Sequence, residues 1–330
     1  MRTFVPDGAA DAADTATAAD GPSPDGPSPA WGIRRAVRLA FPEPAALAGD
    51  PVHTERLRRY LADLLRPYGR EPDPDALGPD AVRCDGQSYG EMAEALIRAT
   101  VPVGESVDLL VLAHSVPDIT PGRATATWLS HVCPGTPMAF AVTDQGPASA
   151  FTALRLVDAY ARSGGLRRAL LLVVEQDSLP YDTGIPATAV AESRGVALLF
   201  GEPLPGERAA ARVSRIATHT LSTHTLSTDS PAVALTAELS LLGDGPAPVT
   251  ALLGATWPPD AARQLPEGTR CAEAGQPGTG VWWELAGELA REPAGPPDGP
   301  RRLLLADHDA GPGQLSLATV DLDGDGGVLR

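Results

Sequence analysis

The stretch PMAFAVTDQGPASAFTALRLVDAYARSGGLRRALLLVVEQD, residues 137–177, decides the fold. It reads as strand, tight turn, helix and strand. Met138–Thr143 is short and apolar and reads as a strand. Asp144-Gln145-Gly146-Pro147 then turns the chain into a long helix with Phe151, Leu154, Leu156 and Val157 among its apolar positions. Asp144 is the expected helix cap, and Pro147 suits the first helical turn, where its missing N–H would have no intrahelical partner. The helix ends at Ser163-Gly164-Gly165. Ala169–Val174 follows as a strand with no polar side, the kind covered on both faces of a parallel sheet.

Outward from this segment, helix and strand patterns alternate. Arg35–Phe41 reads as a first strand, His53–Leu65 as a helix with Leu57, Tyr60, Leu61 and Leu64 on one face, and Tyr89–Ala99 as a second helix. Val107–Ala113 and Gly195–Phe200 are further strands, and another helix covers Gly122–Val132. The second half repeats the theme. VDLLVLAHSVPD (107–118) matches VTALLGATWPPD (249–260), and RRALLLVVEQD (167–177) matches RRLLLADHD (301–309). A helical stretch separates the strands of each half, Ala148–Ala161 in the first and Val281–Ala290 in the second. Two matched pairs in the same order predict a duplicated βα unit. Residues 1–30, with a tandem DGPSP repeat, offer almost no apolar surface against the entropy of ordering and are expected to form a disordered tail. The two halves are expected over 31–205 and 206–330.

The 330 residues carry 42 acidic and 26 basic side chains, a net charge of −16, which argues against nucleic acid and against anionic membrane surfaces as partners. Every basic residue is arginine, and there is no asparagine, so Schiff-base and Asn-dependent catalysis are impossible within this chain. Cys84, Cys133 and Cys271 are widely spaced and odd in number, which fits a reduced cytoplasmic protein better than a disulfide scaffold or zinc site. The longest aliphatic run, Ala169–Val174, is far short of the ~20 residues that span a bilayer, and the N-terminus does not read as a signal peptide. No metal or cofactor is expected. His219 and His224 lie five apart, on opposite faces of a strand, and Asp321–Gly326 opens like an EF-hand loop that ends before its glutamate.

From Trp31 to the C-terminus the chain resembles the thiolase superfamily, specifically the ketoacyl-ACP synthase III branch. The resemblance is densest in DLLVLAHSVPD and in residues 137–177, and RRLLLADHDAGPGQLSLATVDL is similar to the family's closing hairpin, with its turn at Gly311–Gly313. It implies an α/β fold of two pseudo-equivalent βαβαβ halves in five layers, usually a homodimer, acting on acyl-CoA or acyl carrier protein thioesters. The family's cysteine nucleophile sits at the N-terminus of the central helix, where the helix dipole favours thiolate. Counting back from Ser163-Gly164 places it at Pro147, and counting forward from Phe140 places it at Gly146. Neither is a thiol. The family's histidine is replaced in Trp257-Pro258-Pro259-Asp260, and its asparagine in Gly275-Gln276. The resemblance therefore implies a protein without the Cys-His-Asn set.

Other side chains stand as candidates. In related ketosynthases a glutamine replacing the cysteine marks a decarboxylating loading domain or a chain-length factor, which draws attention to Gln145; its plainer reading is a polar elbow residue. Ser149 is either a substitute nucleophile or a helix-packing serine. His114 and His308 stand near strand ends and suit general bases, or else loop or dimer contacts. Asp144 and Glu175 offer carboxylate chemistry, or capping. Trp282 and Trp283 cannot both face inward on a helix. Three functions stay open. The chain assists an active ketosynthase, as a homodimer or heterodimer, in the manner of a chain-length factor. Alternatively it is an acyltransferase, decarboxylase or cyclase acting on an acyl thioester with non-standard residues, or it is a non-catalytic binding protein.

Overall fold

The computed structural model describes residues 31–43, 50–71, 87–116, 118, 124–177, 190–203, 211–221, 230–243, 247–258, 265, 268–291 and 299–322. The expected tail over 1–30, Cys84, His224, Pro259, Asp260 and Asp323–Gly326 lie outside them. The first half runs β1 (Gly32–Ala40), α1 (Pro51–Leu65), α2 (Tyr89–Thr100), β2 (Leu109–Ala113), α3 (Thr125–Val132), β3 (Met138–Val142), α4 (Ala148–Arg162), β4 (Arg168–Glu175) and β5 (Arg194–Gly201). The second runs β6 (Arg212–Thr220), α5 (Pro231–Gly243), β7 (Val249–Leu253), β8 (Arg270–Cys271), α6 (Gly280–Leu289), β9 (Arg301–Asp309) and β10 (Gln314–Leu322).

Each half builds one five-stranded sheet, ordered β1-β5-β4-β2-β3 and β6-β10-β9-β7-β8. Numbered within its own half, each sheet has the same order. Directions match too: β2 is parallel to β3 and β4, and β5 is antiparallel to β4 and β1. In the second sheet β7 is parallel to β8 and β9, and β10 is antiparallel to β9 and β6. The topology is duplicated. The two sheets touch edge to edge where the Ile33 N–H donates to the Ala211 carbonyl at 2.7 Å.

Side-chain alternation explains the layers. Leu109 and Val111 of β2, with Leu171 and Val173 of β4, face Phe151 and Leu154 of α4, Trp282 and Leu285 of α6, and Leu303 and Leu305 of β9. Their strand neighbours Leu110, Leu112, Leu170 and Leu172 face Met92 and Leu96 of α2 and Leu129 of α3. On the far side Leu304, Ala306, Leu315 and Leu317 pack with Leu235 of α5. The order is helices, sheet, α4 with α6, sheet, helix. Each fully buried leucine contributes about 1.5–3 kcal/mol relative to exposure, so strands apolar on both faces are stable only between two helical layers.

Two expectations need correction. On α1, Leu57 and Leu61 are buried, but Tyr60 and Leu64 are 43% and 41% exposed. Tyr60 lies roughly 60° round the helix from Leu57 and roughly 100° from Leu61, at the margin of the buried stripe, whereas Leu64 is close to Leu57 in azimuth but sits in the last turn of α1. The match between residues 107–118 and 249–260 finds the right strands but is one residue out of register. It equates inward-facing Leu109 with Ala251, which faces the α5 side. The ladders pair Leu109 with Ala169 and Thr250 with Leu303, so Leu109 corresponds to Thr250. A one-residue slip in a strand reverses every face.

Candidate functional site

The turn between β3 and α4 is tightly specified. Asp144 has φ of +61° and Gly146 of +51°, two left-handed residues within three positions. Ser115 Oγ donates to the Gly146 carbonyl at 2.8 Å. Pro147 takes the N-cap position without a side-chain cap, so Asp144 does not cap α4 as expected. Gln145 faces outward, its Oε1 accepting from Thr152 Oγ1 at 2.6 Å. A Cβ on Gly146 would lie only 2.6 Å from Asp309 Oδ2. The space beside the turn is therefore filled by a carboxylate from the other half.

A reciprocal arrangement holds at α6. Glu175, at the end of β4, accepts from the Gly278 N–H at 2.7 Å, the Thr279 N–H at 3.0 Å and the Thr279 hydroxyl. Aligning Arg167-Arg168 with Arg301-Arg302 makes Glu175 the counterpart of Asp309 and Val173 the counterpart of Asp307. Each half thus extends a carboxylate from its fourth strand to the start of the other half's central helix, where partial positive charge favours it.

Asp307 lies between these two, 2% exposed. Its Oδ1 accepts from Thr256 Oγ1 at 2.5 Å and from the His308 N–H at 2.9 Å. A Cβ on Gly254 would come within 2.1 Å of this carboxyl, so only glycine fits there. Burial pushes the Asp307 carboxyl up to about 7; the Thr256 and His308 donors oppose the rise, and the Glu175 and Asp309 charges add to it. Burial likewise raises Glu175, against its hydrogen bonds to Thr279 and Gly278 and the charge of Arg194.

The remaining candidates are spread around this cluster. Gln276 is buried beside it, Nε2 donating to the Glu192 carbonyl at 3.1 Å and Oε1 3.1 Å from the Thr279 hydroxyl. His114 packs on Tyr89, ring centroids 4.7 Å apart, with Nδ1 2.8 Å from the Val116 carbonyl oxygen; burial lowers its basicity. It adjoins the turn through Thr143, 3.3 Å from the same nitrogen. His308 alternates away from Asp307 and Asp309 and meets Trp257 edge-on at 6.3 Å, on the α5 side. Pro258, the residue after Trp257, is half-buried. Ser149 is buried in the first turn of α4, its hydroxyl without a partner among the described residues. Cys133 is buried, and burial pushes its thiol up to about 12, so it is no reserve thiolate. Among the described residues no three His, Cys, Asp or Glu side chains form a metal-binding group, and no helix is long and apolar enough to cross a membrane.

Asp307, Asp309, Thr256 and Thr279 were missed by sequence reasoning. The signal for the two aspartates is present in RRLLLADHD, where period-two alternation puts them on the face of Leu303 and Leu305. The threonines occupy loops and carry no such signal.

Among solved structures, an OleA variant of Xanthomonas campestris superposes with a TM-score of 0.56 at 15% identity, covering 88% of this chain and 97% of that one. The acyltransferase ChlB3 gives 0.56 at 18%, covering 90% and 99%. AbyA1, a tetronic acid condensing enzyme, gives 0.54 at 17%, covering 88% and 99%. The fold is thiolase-like. No family model matches the chain, and no curated protein sequence does. Within the thiolase-like frame, the crossed carboxylates lie between the two sheets, outside the C-terminal ends of parallel strands, where open α/β sheets place their ligands.

Proposed function

We propose that this thiolase-like chain serves acyl or polyketide biosynthesis without forming an acyl-enzyme, assisting an active ketosynthase in the manner of a chain-length factor. The turn before α4 carries this reading. Its tip, Gly146, has no side chain, and the next residue, Pro147, has no N–H. The nucleophile is thus absent from both registers where the family's cysteine would fall, and in the Pro147 register the oxyanion-donating N–H is absent with it; losing one such donor costs about 10²–10³ in rate. Asp309 adds a carboxylate against Gly146, which opposes negative charge developing there. Trp257 and Gln276 leave the other two family positions without histidine or asparagine.

Acyl thioesters remain the fitting ligand class, since an OleA structure of this fold holds lauric acid and lauroyl-CoA. Pairing with a second copy or with a ketosynthase is supported by β3, the outermost strand of its sheet, where Met138 is 47% exposed. An open apolar edge favours strand pairing. The test is reconstitution. The purified chain alone should release no thiol from acyl-CoA or acyl carrier protein, and adding it to a ketosynthase should change the yield or chain length of that enzyme's product. A ketosynthase indifferent to its presence contradicts the assisting role.

A second reading follows from Asp307. A buried carboxyl pushed up to about 7 is half-protonated near neutrality and suits proton transfer in decarboxylation or cyclisation of an acyl thioester. Turnover by the chain alone, abolished in Asp307→Asn, would establish it.

A further inference from the structure

Trp283 of α6 lies between two arginines that are treated differently. Arg194 Cζ is 4.8 Å from the ring centroid, and this guanidinium is neutralised by Glu192 at 2.7 Å and Glu273 at 2.9 Å. Arg38 Cζ is 5.0 Å from the same ring, yet its guanidinium meets no carboxylate among the described residues. Among the described residues its guanidinium makes one hydrogen bond, from Nη1 to the Trp283 carbonyl at 3.1 Å. A Cβ on Gly287 would sit 2.8 Å from Nη1, so the absence of a side chain there lets the guanidinium lie down on the helix. Arg38 is exposed, held by ring, carbonyl and glycine, and keeps most of its five N–H donors for something else.

The position of Arg38 gives its exposed guanidinium meaning. β1 and β4 both run antiparallel to β5, so the end of β1 bearing Arg38 lies at the same edge of the sheet as Glu175. Arg194 is directly opposite Glu175 on one side and Ala40 on the other. Trp283 follows Thr279 by one helical turn, its N–H donating to the Thr279 carbonyl at 2.8 Å. A line of side chains therefore runs from solvent at Arg38, over Trp283 and Arg194, to the buried carboxylates. In a chain of net charge −16, an uncompensated guanidinium at the head of that line is the feature that an anionic ligand group would seek.

We infer that Arg38, supported by Trp283 and Gly287, anchors a phosphate ester of the ligand. Resting on the acyl-thioester reading, the group is the phosphate of a phosphopantetheine arm, borne either by CoA or by a carrier protein. Guanidinium suits this role because its planar fork matches phosphate oxygens bidentately.

Affinity should be measured by calorimetry for acyl-CoA, an acyl carrier protein and acyl-pantetheine, which lacks the phosphate. Wild type, Arg38→Gln and Gly287→Ala should be compared, the last keeping the charge while displacing the guanidinium. Both variants should bind the phosphate-bearing ligand about 10-fold or more weaker, the worth of a charge-assisted hydrogen bond, with acyl-pantetheine unaffected. Loss for CoA alone or for the carrier alone supports the anchor and identifies its source. Equal binding of the phosphate-bearing ligands by wild type and Arg38→Gln overturns the anchor and leaves the acyl-thioester reading intact. Binding of none of the three by wild type overturns both.

Discussion

At Gly146 a backbone turn and a carboxylate claim the same volume. Its φ of +51° costs an L-residue roughly 1–2 kcal/mol, and its Cβ would then meet Asp309 Oδ2 at 2.6 Å. Gly146→Ala should therefore destabilise by more than that backbone cost alone. Adding Asp309→Ala should return the excess, so a double-mutant cycle in urea should show coupling between the two positions. Strictly additive effects would mean that Asp309 yields freely. Asp307 makes a prediction of the opposite character. Its folded-state carboxyl, at about 7, lies above the ordinary 3.8, so the native state binds this proton more tightly than the unfolded chain. The stabilisation is complete below 3.8 and is lost as pH rises through about 7. Melting temperature should fall across that window, and Asp307→Asn should flatten the fall. The raised Glu175 acts in the same direction and would leave a residue of it.

Among the elements, α6 is held at both ends by charge from elsewhere. Glu175 caps its start, and near its end Glu288, 4% exposed, gathers Arg270, Arg291 at 3.3 Å and Arg301 at 3.0 Å. A carboxylate near a helix C-terminus opposes the dipole, so the arginines must supply its stabilisation. Burial would raise this carboxyl, but Arg270 first, then Arg291 and Arg301, hold it below the usual 4.5. Its contribution is therefore present above 4.5 and lost as acid protonates the native state. Glu288→Gln should weaken the fold at neutral pH, with the deficit shrinking on acidification; a deficit constant with pH would show that charge is not the cause. The strand–turn–helix–strand around Gly146 was legible in the sequence because its apolar periods and its Gly and Pro signals all agree. The register of β7 was not, because VTALL has too few polar positions to mark a face. His308 invited attention as a titratable group at a strand end, yet counting by twos from Leu304 sends it to the α5 side.

For the whole molecule, the duplication is what assembles the site. Neither half contains it. Asp309 reaches Gly146 and Glu175 reaches Gly278 and Thr279 across the two halves, so the cluster exists only when both sheets pack on α4 and α6. The matched arginine pairs made the duplication readable, whereas the crossing of the carboxylates depends on three-dimensional packing that no local pattern encodes. With Gly146 and Pro147 at its turn, this packed interior is expected to work without a covalent acyl intermediate. The decisive experiment is intact-mass spectrometry of the purified chain after exposure to acyl-CoA and acyl carrier protein thioesters. The mass should stay unmodified throughout. An acyl adduct that maps to the turn at residues 144–149 would contradict that expectation and make the chain a covalent acyltransferase.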